Sequence, residues 1–165
     1  MLHVTAEQHQ IAQRLFLFIC SLWVGGLITG GYLVAPTLFA TLNDRQVAGM
    51  VAGAIFKVEA YISLVLCVGL LVLANLLVSR GLQAYRMIRW LLLAMLLCAA
   101  AGSFVLMPWM ESLREEALLL GMPVRYSPLA GLFSTLHGVS SAIFLVQSLL
   151  GVYLVWRLSR PMTAQ

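Results

Sequence analysis

Four long runs of apolar residues constrain the fold of this chain more than any other feature of its sequence. A helix that crosses a lipid bilayer needs about 20 predominantly apolar residues, and every run has at least 18 residues. The runs do not alternate polar and apolar residues, and they are too long for the strands of a transmembrane barrel. The sequence therefore predicts an all-α integral membrane protein, a four-transmembrane-helix bundle, with its apolar runs at residues 11–35, 60–78, 90–107 and 129–156.

The composition excludes a water-soluble globular domain. Hydrophobic residues make up 62% of the chain and charged residues only 10%, whereas a soluble domain carries about a quarter charged residues. Surface-to-volume scaling limits how much apolar surface a chain of this length can bury in water, so the bilayer has to act as the solvent. We expect a single domain over residues 1–165, with helices at about 6–35, 45–79, 85–107 and 128–157.

Turn and capping residues mark the ends of the predicted helices. Pro36 ends or kinks the first helix, Asp44 or the asparagine before it can cap the second, and Gly81 suits a C-terminal stop. Ser127 can cap the fourth helix, with a proline at its first position. The run SLREEALLLG, residues 112–121, has capping-box spacing and a glycine stop, which predicts a short interfacial helix in the outer loop between helices 3 and 4.

The charged residues are distributed unevenly between the predicted loops. The two loops that follow helices 1 and 3 hold four basic and five acidic residues. The other side of the predicted bundle is arginine-rich, and the positive-inside bias then predicts that both termini are cytoplasmic. No basic patch is interleaved with aromatic residues as in a nucleic-acid-binding surface. The arginines on the predicted cytoplasmic side are Arg14, Arg80, Arg86, Arg89, Arg157 and Arg160.

Small residues predict how the helices pack. Lipid provides little hydrophobic driving force between helices, so close backbone approach and dispersion hold them together. The fourth helix carries glycine and serine at three- and four-residue spacing, which predicts contact with a neighbour along most of its length. We expect the first helix to be that neighbour. The glycines predicted to lie at helix contacts are Gly25, Gly26, Gly30, Gly131 and Gly138.

The stretch FSTLHGVSS, residues 133–141, is a polar cluster inside the fourth apolar run. His137, Ser140 and Ser141 share one face of a helix because they are three or four residues apart, and Ser134 lies one turn earlier. An imidazole at this depth needs a partner or a water-filled pocket. His137 is therefore either a structural residue hydrogen-bonded to another helix, a ligand to a metal or haem iron, or a proton-handling residue.

Two charged residues, Lys57 and Glu59, immediately precede the second apolar run. They are two positions apart and so do not face each other on a helix. They are either solvated charges at the membrane interface or residues of a buried pair or ion path.

No catalytic constellation is recognisable, so the sequence assigns no catalytic residue and does not indicate an enzyme. The three cysteines, Cys20, Cys67 and Cys98, fall in different apolar runs. This odd number at membrane depth argues against a disulfide framework. They are small apolar residues of the core, unless two or three converge into a thiolate metal site.

The segments LWVGG, APTLFATL, AGMVAGAIFKVEAY and LHGVSS together carry a family resemblance over nearly the whole chain. With them the chain resembles the bacterial domain-of-unknown-function family numbered 4149, which is related to transmembrane protein 205. The resemblance implies four membrane helices and a bacterial cytoplasmic (inner) membrane location, and it implies no reaction. The chain is more distantly similar to copper-resistance protein D and to HemJ-type protoporphyrinogen oxidases. Those relatives carry a histidine shortly before W-x-GG, where this chain reads RLFLFICSLW.

Two functional hypotheses follow from the sequence. In the first, His137, Ser134, Ser140 and Ser141 line a polar pocket between helices 1 and 4 that binds or passes a small ligand. That ligand is a metal, a tetrapyrrole such as haem, or a small solute. In the second, the chain is a structural or accessory subunit of a larger membrane complex, and other membrane-protein chains or copies of itself are its partners in the bilayer.

Overall fold

The computed structural model describes the backbone of residues 6–160 and the side chains of residues 10–160. In this part of the chain every regular element is helical, and four segments are long and apolar enough to cross a membrane. The predicted all-α fold with four spanning helices is therefore confirmed. We number these segments span 1 to span 4 in chain order; they are Gln10–Thr41, Arg45–Ser79, Tyr85–Leu119 and Ala130–Ser159.

Span 1 contains a π-helical turn near its C-terminal end. The α-helix Ala6–Thr29 passes through the π-turn Gly30–Val34 into a second α-helix, Ala35–Thr41. Pro36, the second residue after the turn, has no N–H and its ring crowds the preceding turn of a helix, and the wider π-turn accommodates it. The first helix thus extends to Thr41, beyond the expected end at residue 35.

Span 3 is built in the same way, with Pro108 as the second residue after its π-turn. It consists of the α-helix Tyr85–Ala101, the π-turn Gly102–Leu106 and the α-helix Met107–Leu119. The separate interfacial helix expected over residues 112–121 is not confirmed, because residues 112–119 form the C-terminal end of span 3. The helix expected to end at residue 107 therefore continues to Leu119.

The residues predicted to end the helices mostly do so. Asp44 caps span 2, since its Oδ1 accepts the backbone N–H groups of Gln46 and Val47 over 2.7 and 3.3 Å. Gly81, after span 2, adopts a φ of +96°, which only glycine takes up readily. The predicted cap of span 4 is wrong: the helix begins at Ala130 with Leu129 at its N-cap, and Ser127 Oγ accepts the N–H of Leu129 over 3.2 Å in the turn before it.

The buried apolar core is unevenly divided along the bundle. A small cluster near the start of span 4 consists of Leu106, Leu113 and Leu136, from spans 3 and 4 only. Spans 1 and 2 contribute buried residues only to the large cluster. The large cluster joins all four spans and includes Phe16, Cys20, Trp23, Cys67, Leu70, Tyr85, Ile88, Leu92, Met95, Leu154 and Leu158.

Span 4 packs against spans 1 and 3, and Gly151 lies at a close contact with both. A Cβ atom at this glycine would lie 2.8 Å from Val24 Cγ2 and 3.3 Å from Met95 Cε. The predicted packing glycines are placed differently. A Cβ at Gly25, Gly26, Gly131 or Gly138 would meet no other atom within 4 Å. Of the five, only Gly30 lies at a close contact between helices of the described structure.

Candidate functional site

Of the carboxylates whose side chains the structure describes, Glu59 lies deepest among the helices. It is 14 residues after Arg45, about 20 Å along span 2, and its side chain is half-buried against span 1. Its Oε2 atom is buried and has no hydrogen-bond partner among the described residues. A carboxylate inside a spanning helix is costly unless it is neutralised or paired. This side chain is therefore the clearest candidate for a functional group.

The Glu59 carboxyl group rests on the first residue of the π-turn in span 1. A Cβ atom at Gly30 would lie 2.7 Å from the carboxyl carbon, so only glycine leaves room for this side chain. Pro36 cannot donate the helical hydrogen bond that a carbonyl one turn earlier would accept. The carboxylate thus faces a stretch of backbone with altered hydrogen bonding, an arrangement that recurs at functional sites.

A buried hydrogen bond holds spans 1 and 2 together one turn from Glu59. The indole Nε1–H of Trp23 donates to Ser63 Oγ over 2.9 Å. The Ser63 side chain is fully buried, and Trp23 is 5% exposed. Because Ser63 follows Glu59 by four residues, both side chains project from the same face of span 2 towards span 1.

Ser103, in the π-turn of span 3, is a second buried polar group. Its Oγ atom has no hydrogen-bond partner among the described residues. Spans 2 and 3 are antiparallel, and the salt bridge between Lys57 and Glu111 shows that these two residues lie opposite each other. Ser103 precedes Glu111 by eight residues and therefore lies near the level of Ser63. Both π-turns contact span 2. Span 2 is therefore flanked on two sides by π-helical backbone near Ser63.

The other charged side chains near Glu59 lie closer than Glu59 to the end of the bundle. Lys57 Nζ lies 3.3 Å from Glu111 Oε1, and both side chains are nearly half exposed. Lys57 therefore pairs with span 3 and not with Glu59, as their two-residue spacing predicts. The guanidinium of Arg114 lies 5.2 Å from the centroid of the Phe133 ring and reaches towards Gly53 of span 2.

The predicted polar face of span 4 lies on the outside of the bundle. The side chains of His137, Ser134 and Ser141 are exposed, and that of Ser140 is half-buried. Ser141 Oγ donates to the carbonyl oxygen of His137 over 2.9 Å. The imidazole stacks on the Phe133 ring, with centroids 6.4 Å apart and planes 5° from parallel.

The expected pocket between helices 1 and 4 is therefore not lined by His137. Phe144, two turns further along span 4, fills that interface: its ring lies against Gly31, 5.8 Å from Tyr32 and 5.3 Å from Phe56. Beyond its π-turn, span 1 packs on span 2. Span 1 consequently does not cover the part of span 4 that carries the histidine.

The three cysteines occupy the opposite half of the bundle. Cys67 lies near both Cys20 and Cys98, and Cys20 and Cys67 are fully buried. All three are free thiols. In the part of the chain that the structure describes, no group of three or more His, Cys, Asp or Glu side chains is placed to hold a metal ion.

Comparison with known proteins identifies a family but no characterised relative. A family model described as a domain of unknown function (DUF4149) matches residues 18–119. This range includes both π-turns, Trp23, Gly30 and Glu59. No curated protein and no solved structure matches the chain.

Proposed function

Because this chain belongs to the DUF4149 family of domains of unknown function, we propose a function from its geometry: it binds or passes a small cation at Glu59. The proton is the simplest such cation. The chain is a multi-pass membrane protein with four spanning helices. We further propose that it resides in the bacterial cytoplasmic membrane with both termini in the cytoplasm, which the arginine-rich end of the bundle supports.

The observation that carries the proposal is the buried, unpaired oxygen of the Glu59 carboxyl group. An ionised carboxylate in a low-dielectric environment needs a cation or a proton to offset its lost hydration. Lys57 forms a salt bridge with Glu111, so this lysine does not neutralise the Glu59 carboxylate. A cation or proton at Oε2 would provide the missing positive charge.

Purified protein in proteoliposomes tests this function. A membrane potential is imposed with an ionophore, and entry of protons, sodium or potassium is followed with an ion-sensitive dye. We expect the wild type to transport one of these ions and Glu59→Gln to fall to the rate of empty liposomes. Glu115→Gln, at an exposed carboxylate of span 3, should keep the wild-type rate. Unchanged transport in Glu59→Gln would refute the role of this residue.

Binding without transport gives a different result in the same preparation. In that case no ion crosses the membrane, but infrared difference spectra after a pH or salt jump contain a carboxyl band from a titrating or cation-bound side chain. We expect this band to be absent from Glu59→Gln and present in Glu115→Gln. A wild type with neither transport nor such a band would contradict the proposed function.

A second candidate function is that of an accessory subunit in a larger membrane assembly. The exposed imidazole of His137 on a spanning helix favours it, because polar groups in the bilayer are satisfied by neighbouring helices. Gentle extraction followed by native mass spectrometry tests this hypothesis. We expect a copurifying chain that is lost in His137→Leu, and a bare monomer under all extraction conditions would exclude it.

A further inference from the structure

The two ends of the bundle differ sharply in charge. Among the described side chains, the half of the bundle in which span 1 begins and span 4 ends carries six arginines and no carboxylate, while the opposite half carries four basic and five acidic residues. Arg160 lies 3.9 Å from the centroid of the Trp156 ring, and Arg89 lies 5.6 Å from that of Trp90. Tryptophan and arginine together mark the headgroup level of a membrane.

A recess opens at this basic end between span 1 and the end of span 4. Its volume is about 220 Å³, and it is lined by Gln10, Gln13, Arg14, Leu17, Leu158 and Ser159. The volume suffices for a phosphate-sized group. Along span 1 the lining changes from polar at Gln10 to apolar at Leu17, seven residues or about 10 Å closer to the membrane interior.

Gln13 forms a fixed wall of the recess. Its Nε2 donates to the carbonyl oxygens of Leu158 and Arg160, both over 2.8 Å. These bonds satisfy carbonyl groups at the end of span 4 and tie spans 1 and 4 together there. Both amide hydrogens are thereby used, so Gln13 shapes the recess without donating to a ligand.

Arg14 provides the charge in the recess. It forms no salt bridge with any described side chain, and its side chain is exposed. An arginine presents several N–H donors in a planar fork that fits phosphate oxygens. The other arginines of this end add to the positive potential at the recess, and no described carboxylate lowers it.

We propose that this recess binds the phosphate group of an anionic phospholipid. Arg14 is the principal contact to the phosphate, Gln10 is an additional donor, and an acyl chain continues along Leu17 into the membrane. Basic pockets between spanning helices on the cytoplasmic side bind acidic headgroups for this reason. This proposal is independent of the role of Glu59.

Native mass spectrometry of the full chain in detergent tests the lipid site, with phosphatidylglycerol and phosphatidylcholine of identical acyl chains as probes. We expect preferential retention of phosphatidylglycerol. Arg14→Gln should lower that retention about fivefold, the effect of one basic residue at an anionic membrane surface. Arg14→Lys, which keeps the charge but loses the planar fork, should retain more phosphatidylglycerol than Arg14→Gln, which distinguishes a charge effect from a folding defect.

Arg86→Gln is the matched control, because Arg86 is exposed at the same end but does not line the recess. It should retain phosphatidylglycerol as the wild type does. Equal retention of the two lipids by the wild type, or equal losses in Arg14→Gln and Arg86→Gln, would overturn the proposal. Inorganic phosphate at millimolar concentration should not displace the lipid, and displacement would show that the recess binds free phosphate instead.

Discussion

Trp23 in span 1 donates its indole N–H to the hydroxyl oxygen of Ser63 in span 2, over 2.9 Å. Both side chains are buried among apolar residues. Trp23 belongs to the LWVGG segment, and Ser63 lies one helical turn after Glu59. The bond therefore joins a sequence motif of span 1 to the helix face that presents the candidate functional carboxylate.

Removing this bond from one side should destabilise the protein. Ser63→Ala leaves the indole N–H buried without its acceptor, and we expect a loss of about 1–2 kcal/mol in the free energy of unfolding. Trp23→Phe removes the donor but also loses apolar contact area. A double-mutant cycle over both positions, measured by unfolding in detergent, should yield a coupling of about 0.5–1.5 kcal/mol. A coupling of zero would contradict the hydrogen bond.

Gly31 should tolerate no side chain, because it is packed against the ring of Phe144. The ring is rigid and also contacts Tyr32 and Phe56, so it cannot move aside without disturbing three spans. We expect Gly31→Ala to cost about 1–3 kcal/mol of stability through overpacking. Gly138→Ala, where the new methyl meets no atom within 4 Å, should change stability by less than about 0.5 kcal/mol. Equal effects would argue against this packing.

Gly30→Ala should impair function more than stability. The atoms that the new methyl group would meet are the end of the flexible Glu59 side chain, which can swing away at a smaller cost than a ring or backbone. We therefore expect an unfolding free energy within about 1 kcal/mol of the wild type and ion transport or binding reduced towards the level of Glu59→Gln. Gly26→Ala is the control and should preserve both. A fully active Gly30→Ala would show that function does not depend on the contact between Glu59 and the π-turn.

The salt bridge between Lys57 and Glu111 should contribute little to stability. Its atoms are 3.3 Å apart, but both side chains are nearly half exposed, so surrounding solvent or headgroups screen the attraction. We expect a coupling below about 1 kcal/mol in a double-mutant cycle of Lys57→Ala and Glu111→Ala, and a further decrease at high salt. A larger coupling that is insensitive to salt would indicate a pair buried by a partner.

The fold was predictable because length and apolarity alone select spanning helices. Local chemistry also identified Asp44 as a cap and the glycine stops at residues 81 and 121, since these depend on a few neighbouring residues. The ends of spans 1 and 3 were predicted too early. A proline normally breaks an α-helix, but a π-turn before Pro36 and Pro108 lets each helix continue, and that compensation depends on tertiary packing.

The candidate site was only partly predictable. Glu59 was recognisable as a charge beside an apolar run, but its contact with Gly30 depends on how spans 1 and 2 approach each other. The face that carries His137 follows from helical spacing, whereas its exposure follows from the direction of span 1 after its π-turn. For the same reason the glycines at true close contacts, Gly31 and Gly151, could not be distinguished by spacing from Gly138.

Two adjacent residues of span 4, Leu136 and His137, should respond to substitution in opposite ways. Leu136 is 6% exposed in the smaller apolar cluster, so Leu136→Ala should cost about 2–5 kcal/mol in an isolated monomer. His137 is on the outer face, so His137→Leu should leave the stability of that monomer unchanged or raise it, because an apolar side chain replaces a polar one facing lipid. Unfolding in detergent measures both effects. If His137→Leu destabilised the monomer as much as Leu136→Ala, the imidazole would have to be buried within the bundle, and the outward orientation of this face would be wrong.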